Sequence, residues 1–129
     1  MSLYGSYKLM SSLKSALGGN HSLESLVIGG VDVECLPDEG VLPHSLLTLE
    51  IRNCPDLKRL DYKGLCHLSS LKELLLVGCP RLECLPEEGL PKSISTLNIY
   101  DCPLLKQRCR EPQGEDWPKI AHIEHVDIR

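Results

Sequence analysis

One apolar pattern occurs four times along the chain, and its spacing limits what the chain can become. From Leu71 to Leu85 the order is Leu-x-x-Leu-x-Leu-x-x-Cys-Pro-x-Leu-x-x-Leu. Leu46, Leu49, Ile51, Cys54, Pro55, Leu57 and Leu60 take the same places earlier, and Ile94, Leu97, Ile99, Cys102, Pro103 and Leu105 take them later. Leu23, Leu26, Ile28 and Val31 form a further copy, with valine where the others have cysteine. The copies start at positions 23, 46, 71 and 94, so each is followed by the next after 23 or 25 residues. Self-similarity at this period means stacked units, none of which can bury its apolar face without its neighbours.

The period and pattern are those of a leucine-rich repeat. The expected fold is α/β: a leucine-rich-repeat solenoid, a partial horseshoe, with short parallel strands on its concave face. The strands come from the second half of each Leu-x-x-Leu-x-Leu segment, as in Leu49-Glu50-Ile51-Arg52, where period-2 alternation sends alternate residues to opposite faces. Stacked at the repeat period, they make a sheet with neighbours about 4.8 Å apart. The Cys-Pro pair ends each strand, because proline has no N–H to continue a ladder. The outer segments, such as Leu85-Pro86-Glu87-Glu88-Gly89-Leu90-Pro91, hold prolines too close together for a helix. They are expected to be extended or 3₁₀, with one helical turn between Asp61 and Ser70.

Residues 1–129 read as one domain, with a partial repeat at 1–20, repeats at 21–105 and a C-terminal cap at 106–129. In the partial repeat Leu3 stands where Ile28 and Leu76 stand, and Leu9 where Leu82 does. This incomplete opening suggests a piece of something longer or a truncated product. In the cap, Asp116 is the expected N-cap of a short helix at Trp117-Pro118-Lys119-Ile120, with proline tolerated in the first turn. Ile123, Val126 and Ile128 restore the strand spacing, and Trp117 is the expected apolar lid.

The chain has no phenylalanine and one tryptophan, so the core must be built from Leu, Ile and Val, which suits a thin stack. Seven cysteines would suggest disulfides in a secreted protein. Because Cys54, Cys79 and Cys102 recur at one repeat position, they read instead as small buried groups in a reducing compartment. The sequon at Asn20-His21-Ser22 has no secretory segment before it, since Lys8 and Lys14 interrupt the N-terminal apolar stretch. A cytoplasmic location follows as the expectation. A net charge of −4 argues against nucleic acid, and no apolar run is long enough for a membrane span.

Nothing in the sequence points to catalysis. It contains no phosphate-binding glycine loop and no nucleophile elbow; Gly18-Gly19 and Gly29-Gly30 are short turn signals. His122-Ile123-Glu124-His125 is weak as a metal motif, and the cysteine spacings are not those of structural zinc. Glu87-Glu88 and Asp38-Glu39 read as solvated pairs in turns. The expectation is no enzyme, no cofactor and no metal. What remains is the face of the strands that alternates with the core. It carries Val27, Thr48, Glu50, Arg52, Glu73, Leu75, Val77, Thr96, Asn98 and Tyr100, a mixture of apolar and charged groups typical of a protein contact site.

The Leu-x-x-Leu-x-Ile-x-x-Cys-Pro-x-Leu repeats and the Leu-Pro-Glu-Glu-Gly-Leu-Pro link resemble the carboxy-terminal region of plant nucleotide-binding leucine-rich-repeat disease-resistance proteins of the coiled-coil type. The most specific part is the end, Cys102-Pro103-Leu104-Leu105 to Arg108-Cys109 and Gly114-Glu115-Asp116-Trp117 to Ile120-Ala121-His122-Ile123. The resemblance implies a sensor and autoinhibitory segment of an intracellular immune receptor. Its partners would be a pathogen effector or host protein and, in a full-length receptor, that receptor's nucleotide-binding domain. The competing expectations are the substrate-receptor repeats of a ubiquitin ligase and an inactive remnant.

Overall fold

The structure, a computed structural model, describes residues 2–4, 24–30, 34–36, 42, 44–66, 68–110 and 113–129. Leu9, the Gly18-Gly19 turn, the sequon at Asn20, Leu23, Val31 and the turn at 37–40 lie outside the described residues.

Each repeat contributes one short strand to a single parallel sheet. These are β1 (Ser2–Tyr4), β2 (Ser25–Gly29), β4 (Thr48–Arg52), β6 (Glu73–Val77), β7 (Thr96–Tyr100) and β8 (His125–Ile128), hydrogen-bonded in that order. Sequential repeats are spatial neighbours, so the register of the sequence becomes the register of the sheet. Leu26, Leu49, Leu74, Leu97 and Val126 pair across one row. Leu3, Ile28, Ile51, Leu76, Ile99 and Ile128 pair across another, which puts Leu3 in the place its spacing predicts.

Beneath the sheet these rows meet the leucines of the outer segments. Leu46, Leu57, Leu65, Leu68, Leu71, Leu82 and Leu105 are fully buried beside them. Each such side chain contributes about 1.5 to 3 kcal/mol of burial. Together they make one continuous core without a phenylalanine, with Trp117, Val126 and Ile128 packed half-buried against its C-terminal end.

The strands end one residue earlier than the Cys-Pro pair implies. Gly30, Asn53, Gly78 and Asp101 occupy the same repeat position and all have positive φ, between 51° and 65°. A left-handed residue there turns the chain down while its N–H still serves the ladder. Asn53 donates to Val77 O at 2.8 Å, Gly78 to Tyr100 O at 2.9 Å and Asp101 to Arg129 O at 3.1 Å. Glycine, asparagine and aspartate are the residues that tolerate this conformation.

Alanine in that conformation costs about 1 to 2 kcal/mol. A Cβ on Gly30 would meet nothing, whereas one on Gly78 would run into the carboxamide of Asn53. Gly30→Ala is therefore expected to lower the thermal midpoint by the backbone cost alone, and Gly78→Ala by more. Equal losses in melts of the two variants would show that the Asn53 side chain yields freely.

The cysteine that follows secures the turn. Cys54 Sγ donates to Arg52 O at 3.4 Å, Cys79 Sγ to Val77 O at 3.6 Å and Cys102 Sγ to Tyr100 O at 3.4 Å. Each of these carbonyls also accepts the N–H of the left-handed residue one strand away. The three thiols are fully buried, and none of the seven cysteines forms a disulfide.

On the outer side, β3 (Cys35–Leu36) and β5 (Arg59–Leu60) form a two-stranded parallel ladder, extended by a bridge from Arg59 to Cys84. One helical turn, α1 (Tyr62–Leu65), follows, with Asp61 accepting from the Lys63 N–H at 3.0 Å. The outer side is thus short extended pieces joined by turns, with the i+3 to i bonds of 3₁₀ geometry at Gly89 N to Pro86 O, 2.9 Å, and Ile94 N to Pro91 O, 3.2 Å.

At the C-terminal end lie α2 (Pro103–Arg108) and α3 (Trp117–Ile120). Asp116 holds the expected N-cap position of α3, but its side chain makes no capping hydrogen bond. Its carboxylate is wholly buried and turned to other partners. It accepts from Leu85 N at 2.8 Å, Lys119 Nζ at 2.9 Å, and Arg108 Nε and Nη2, both at 3.2 Å. Lys119 Nζ also donates to Leu85 O at 3.3 Å, so both backbone groups of Leu85 are held by the cap. Gly114 permits this: a Cβ there would strike the backbone of Arg108 and Arg110.

Candidate functional site

Alternation along the strands leaves three rows on the face opposite the core. The first is Ser25, Thr48, Glu73, Thr96 and His125; the second is Val27, Glu50, Leu75, Asn98 and Asp127. The third runs Gly29, Arg52, Val77 and Tyr100, and reaches Arg129 just past β8. All ten residues singled out by the sequence fall on this face, in adjoining registers. Three more, His125, Asp127 and Arg129, belong to it as well. The same alternation that turns Val126 and Ile128 toward the core assigns them there, and it could have been applied to the last strand.

Half-buried Leu75 and Val77 sit side by side along β6, with half-buried Val27 in the Leu75 row. Around them the charges are paired at medium range or left in solvent. Arg52 Nε lies 3.7 Å from Glu50 Oε1, and Glu73 is exposed. At the other end, Tyr100 donates its hydroxyl to Asp127 at 3.0 Å, while Arg129 Nε approaches the same carboxylate at 3.2 Å. The Arg129 guanidinium also lies over the Tyr100 ring, 5.6 Å from its centre. The hydrogen bond to Asp127 raises the Tyr100 phenol above its ordinary pKa. Tyr100 is therefore a neutral donor at physiological pH, fixed on both sides, and already ordered for contact.

An array of this kind has apolar area, fixed hydrogen-bonding groups and charges of both signs. Among the described residues no group of three or more His, Cys, Asp or Glu side chains is placed to hold a metal. His122 and His125 are both exposed, with His125 Nε2 3.7 Å from Glu124.

Two of the buried thiols, Cys79 and Cys109, are shielded rather than activated, whereas the hydrogen bond with Cys79 lowers Cys102 to about 7. Cys79, in the middle of its row, shares hydrogen bonds with Cys102 and Cys54 and is buried, and all three raise its pKa. Burial pushes Cys109 up to about 12. Thiolate is the reactive form, so Cys79 acts as packing and as a turn donor and Cys109 as packing.

The chain is similar to several plant proteins. It is 32% identical over 123 residues, 94% of its own length, to the Arabidopsis thaliana protein At3g14460, named for disease resistance. It is 36% identical over 107 residues, 83% of its length, to the disease resistance-like protein DSC1 of the same plant. A 52-residue stretch, 39% of the chain, is 46% identical to the Solanum bulbocastanum protein RGA4, also named for disease resistance. The chain spans 8%, 8% and 5% of these relatives, respectively. No family model matches it, and no solved structure does.

Proposed function

This chain is related in sequence to plant disease-resistance proteins, and on that premise we propose that it is a recognition segment of an intracellular immune receptor, binding protein through the open face of its sheet. The stack is then a stretch of leucine-rich-repeat solenoid with the sheet on the concave side. The repeat period, the parallel strands in repeat order and the extended outer ladders support that reading. The segment belongs to the carboxy-terminal region of a coiled-coil-type receptor, acts in the cytoplasm and is not an enzyme. Its partner is a pathogen effector or a host protein and, within a full-length receptor, the nucleotide-binding domain that the repeats restrain.

The observation that carries this function is the half-buried run of Leu75 and Val77, set between Glu50, Arg52 and Glu73 on one side and the braced Tyr100 on the other. An apolar centre with a polar rim is the anatomy of a protein interface, and a braced tyrosine loses little entropy on binding.

The test is Leu75→Lys combined with Tyr100→Lys, with binding to a candidate effector and to the nucleotide-binding domain measured by calorimetry. Truncating a central anchor typically costs 2 kcal/mol or more, so a loss of roughly 30-fold or greater is expected. Unchanged affinity in a variant with an unchanged circular-dichroism spectrum would remove the sheet face from the interface.

A further inference from the structure

The end of the stack offers a second surface, separate from the strand face. Leu97 and Ile99 on β7 are fully buried, but their partners in register on β8, Val126 and Ile128, are only half-covered. Beside them a cavity of about 310 Å³ is lined by Lys106, Cys109, Arg110, Trp117, Val126 and Ile128. Among the described residues no acid is in that lining.

The backbone at this end is also open. In a strand, successive residues present their N–H and C=O to opposite sides. His125 N donates to Ser95 O at 2.9 Å and Arg129 N to Ile99 O at 2.8 Å, so residues 125, 127 and 129 face β7. Val126 and Ile128 therefore present their N–H and C=O groups to the outer side, where β8 has no neighbour among the described strands.

We propose that the outer edge of β8 and this cavity form a docking site for an extended acidic segment of a partner protein. The segment adds to the sheet as a further strand, hydrogen-bonding Val126 and Ile128. It seats an apolar side chain beside Trp117 and places carboxylates against Lys106 and Arg110. Strand addition of this kind draws affinity from main-chain bonds and specificity from pockets for alternate side chains. The charge of the lining decides against a second copy of this chain, joined head to tail. By sequence the first twenty residues carry Lys8 and Lys14 and no acid, so that segment offers no charge complement to Lys106 and Arg110.

The probe is the capped peptide Asp-Val-Asp-Leu-Asp-Val-Asp, with Lys-Val-Lys-Leu-Lys-Val-Lys as its charge-reversed counterpart. Trp117 is the chain's one tryptophan, so its fluorescence reports the cavity directly. The acidic peptide is expected to shift Trp117 emission to the blue and to slow amide exchange at Val126 and Ile128. The lysine peptide is expected to do neither. Lys106→Glu with Arg110→Glu, both at exposed positions, should weaken the acidic peptide by roughly tenfold or more, as should added salt. Leu75→Lys should leave this binding intact while abolishing recognition on the strand face. Emission and exchange unmoved by millimolar acidic peptide, equal binding of both peptides, or loss of binding in Leu75→Lys would each overturn the proposal.

Discussion

Leu74→Asp is expected to leave no folded protein at room temperature. Leu74 lies at the centre of the sheet, paired with Leu49 on one side and Leu97 on the other, and is 1% exposed. Removing it forfeits about 1.5 to 3 kcal/mol of burial. Placing a carboxylate there adds a penalty of several kcal/mol, because every neighbour in the row is aliphatic and offers it no partner. A domain of this size has a total stability of only about 5 to 15 kcal/mol. In a stack of repeats the loss is shared, since each repeat is buried by those beside it. Circular dichroism should show loss of the strand signal and of any cooperative melt. A variant melting like the parent would mean that Leu74 does not face the core.

Asp116→Ala is expected to be the most damaging change outside the core. The substitution removes one carboxylate and strands the groups that meet on it: the buried N–H of Leu85, the Arg108 guanidinium and the Lys119 ammonium. Breaking a buried pair in this way costs about 3 to 5 kcal/mol. The damage should begin at the cap, with amide exchange accelerating in α3 and β8 before it does in β4 and β6. Glu115→Ala provides the control. Glu115 also pairs with Arg108, at 2.8 Å, but is 76% exposed and should change stability little.

Acid should reproduce part of the Asp116 effect. Burial alone would raise the pKa of this carboxyl, but the hydrogen bonds from Arg108, Leu85 and Lys119 outweigh burial and hold it below the usual value. A depressed folded-state pKa gives stability that is present above the unfolded value, about 3.9, and lost as pH falls through the folded one. The parent should thus lose stability below about pH 4, and Asp116→Asn should lose less over the same interval. An identical acid profile in the two proteins would show that Asp116 is not the group responsible.

The sheet was legible in the sequence because its physics is periodic. Positions 49, 74 and 97 are buried for the same reason in each repeat, and recurrence of that reason is visible as recurrence of leucine. Leu3, in the shortest fragment of a repeat, follows the same rule and falls into register with Ile28. The left-handed exits were less visible, since Gly30, Asn53, Gly78 and Asp101 share a backbone angle and not a side chain. A search for recurring residue types passes over them, and the conspicuous Cys-Pro pair draws the eye instead.

Asp116 was misread for a related reason. An aspartate before Trp117-Pro118 has the local signature of a helix cap, but its shortest hydrogen bond comes from Leu85 N, 31 residues away. Local pattern cannot report a contact of that range. The candidate face was legible as far as alternation was followed: it was traced through β7 and stopped there, so Asp127 and Arg129, which brace Tyr100, were left out.

The central claim is that neighbouring residues on one strand have separate tasks, with Leu74 building the stack and Leu75 left to meet a partner. Thermal melts of Leu74→Asp and Leu75→Lys, recorded beside the parent, test it most directly. Leu74→Asp should show no cooperative transition. Leu75→Lys should melt within about 2 °C of the parent, as a change away from the core does. A Leu75→Lys protein that unfolds, or a Leu74→Asp protein that does not, would contradict the claim.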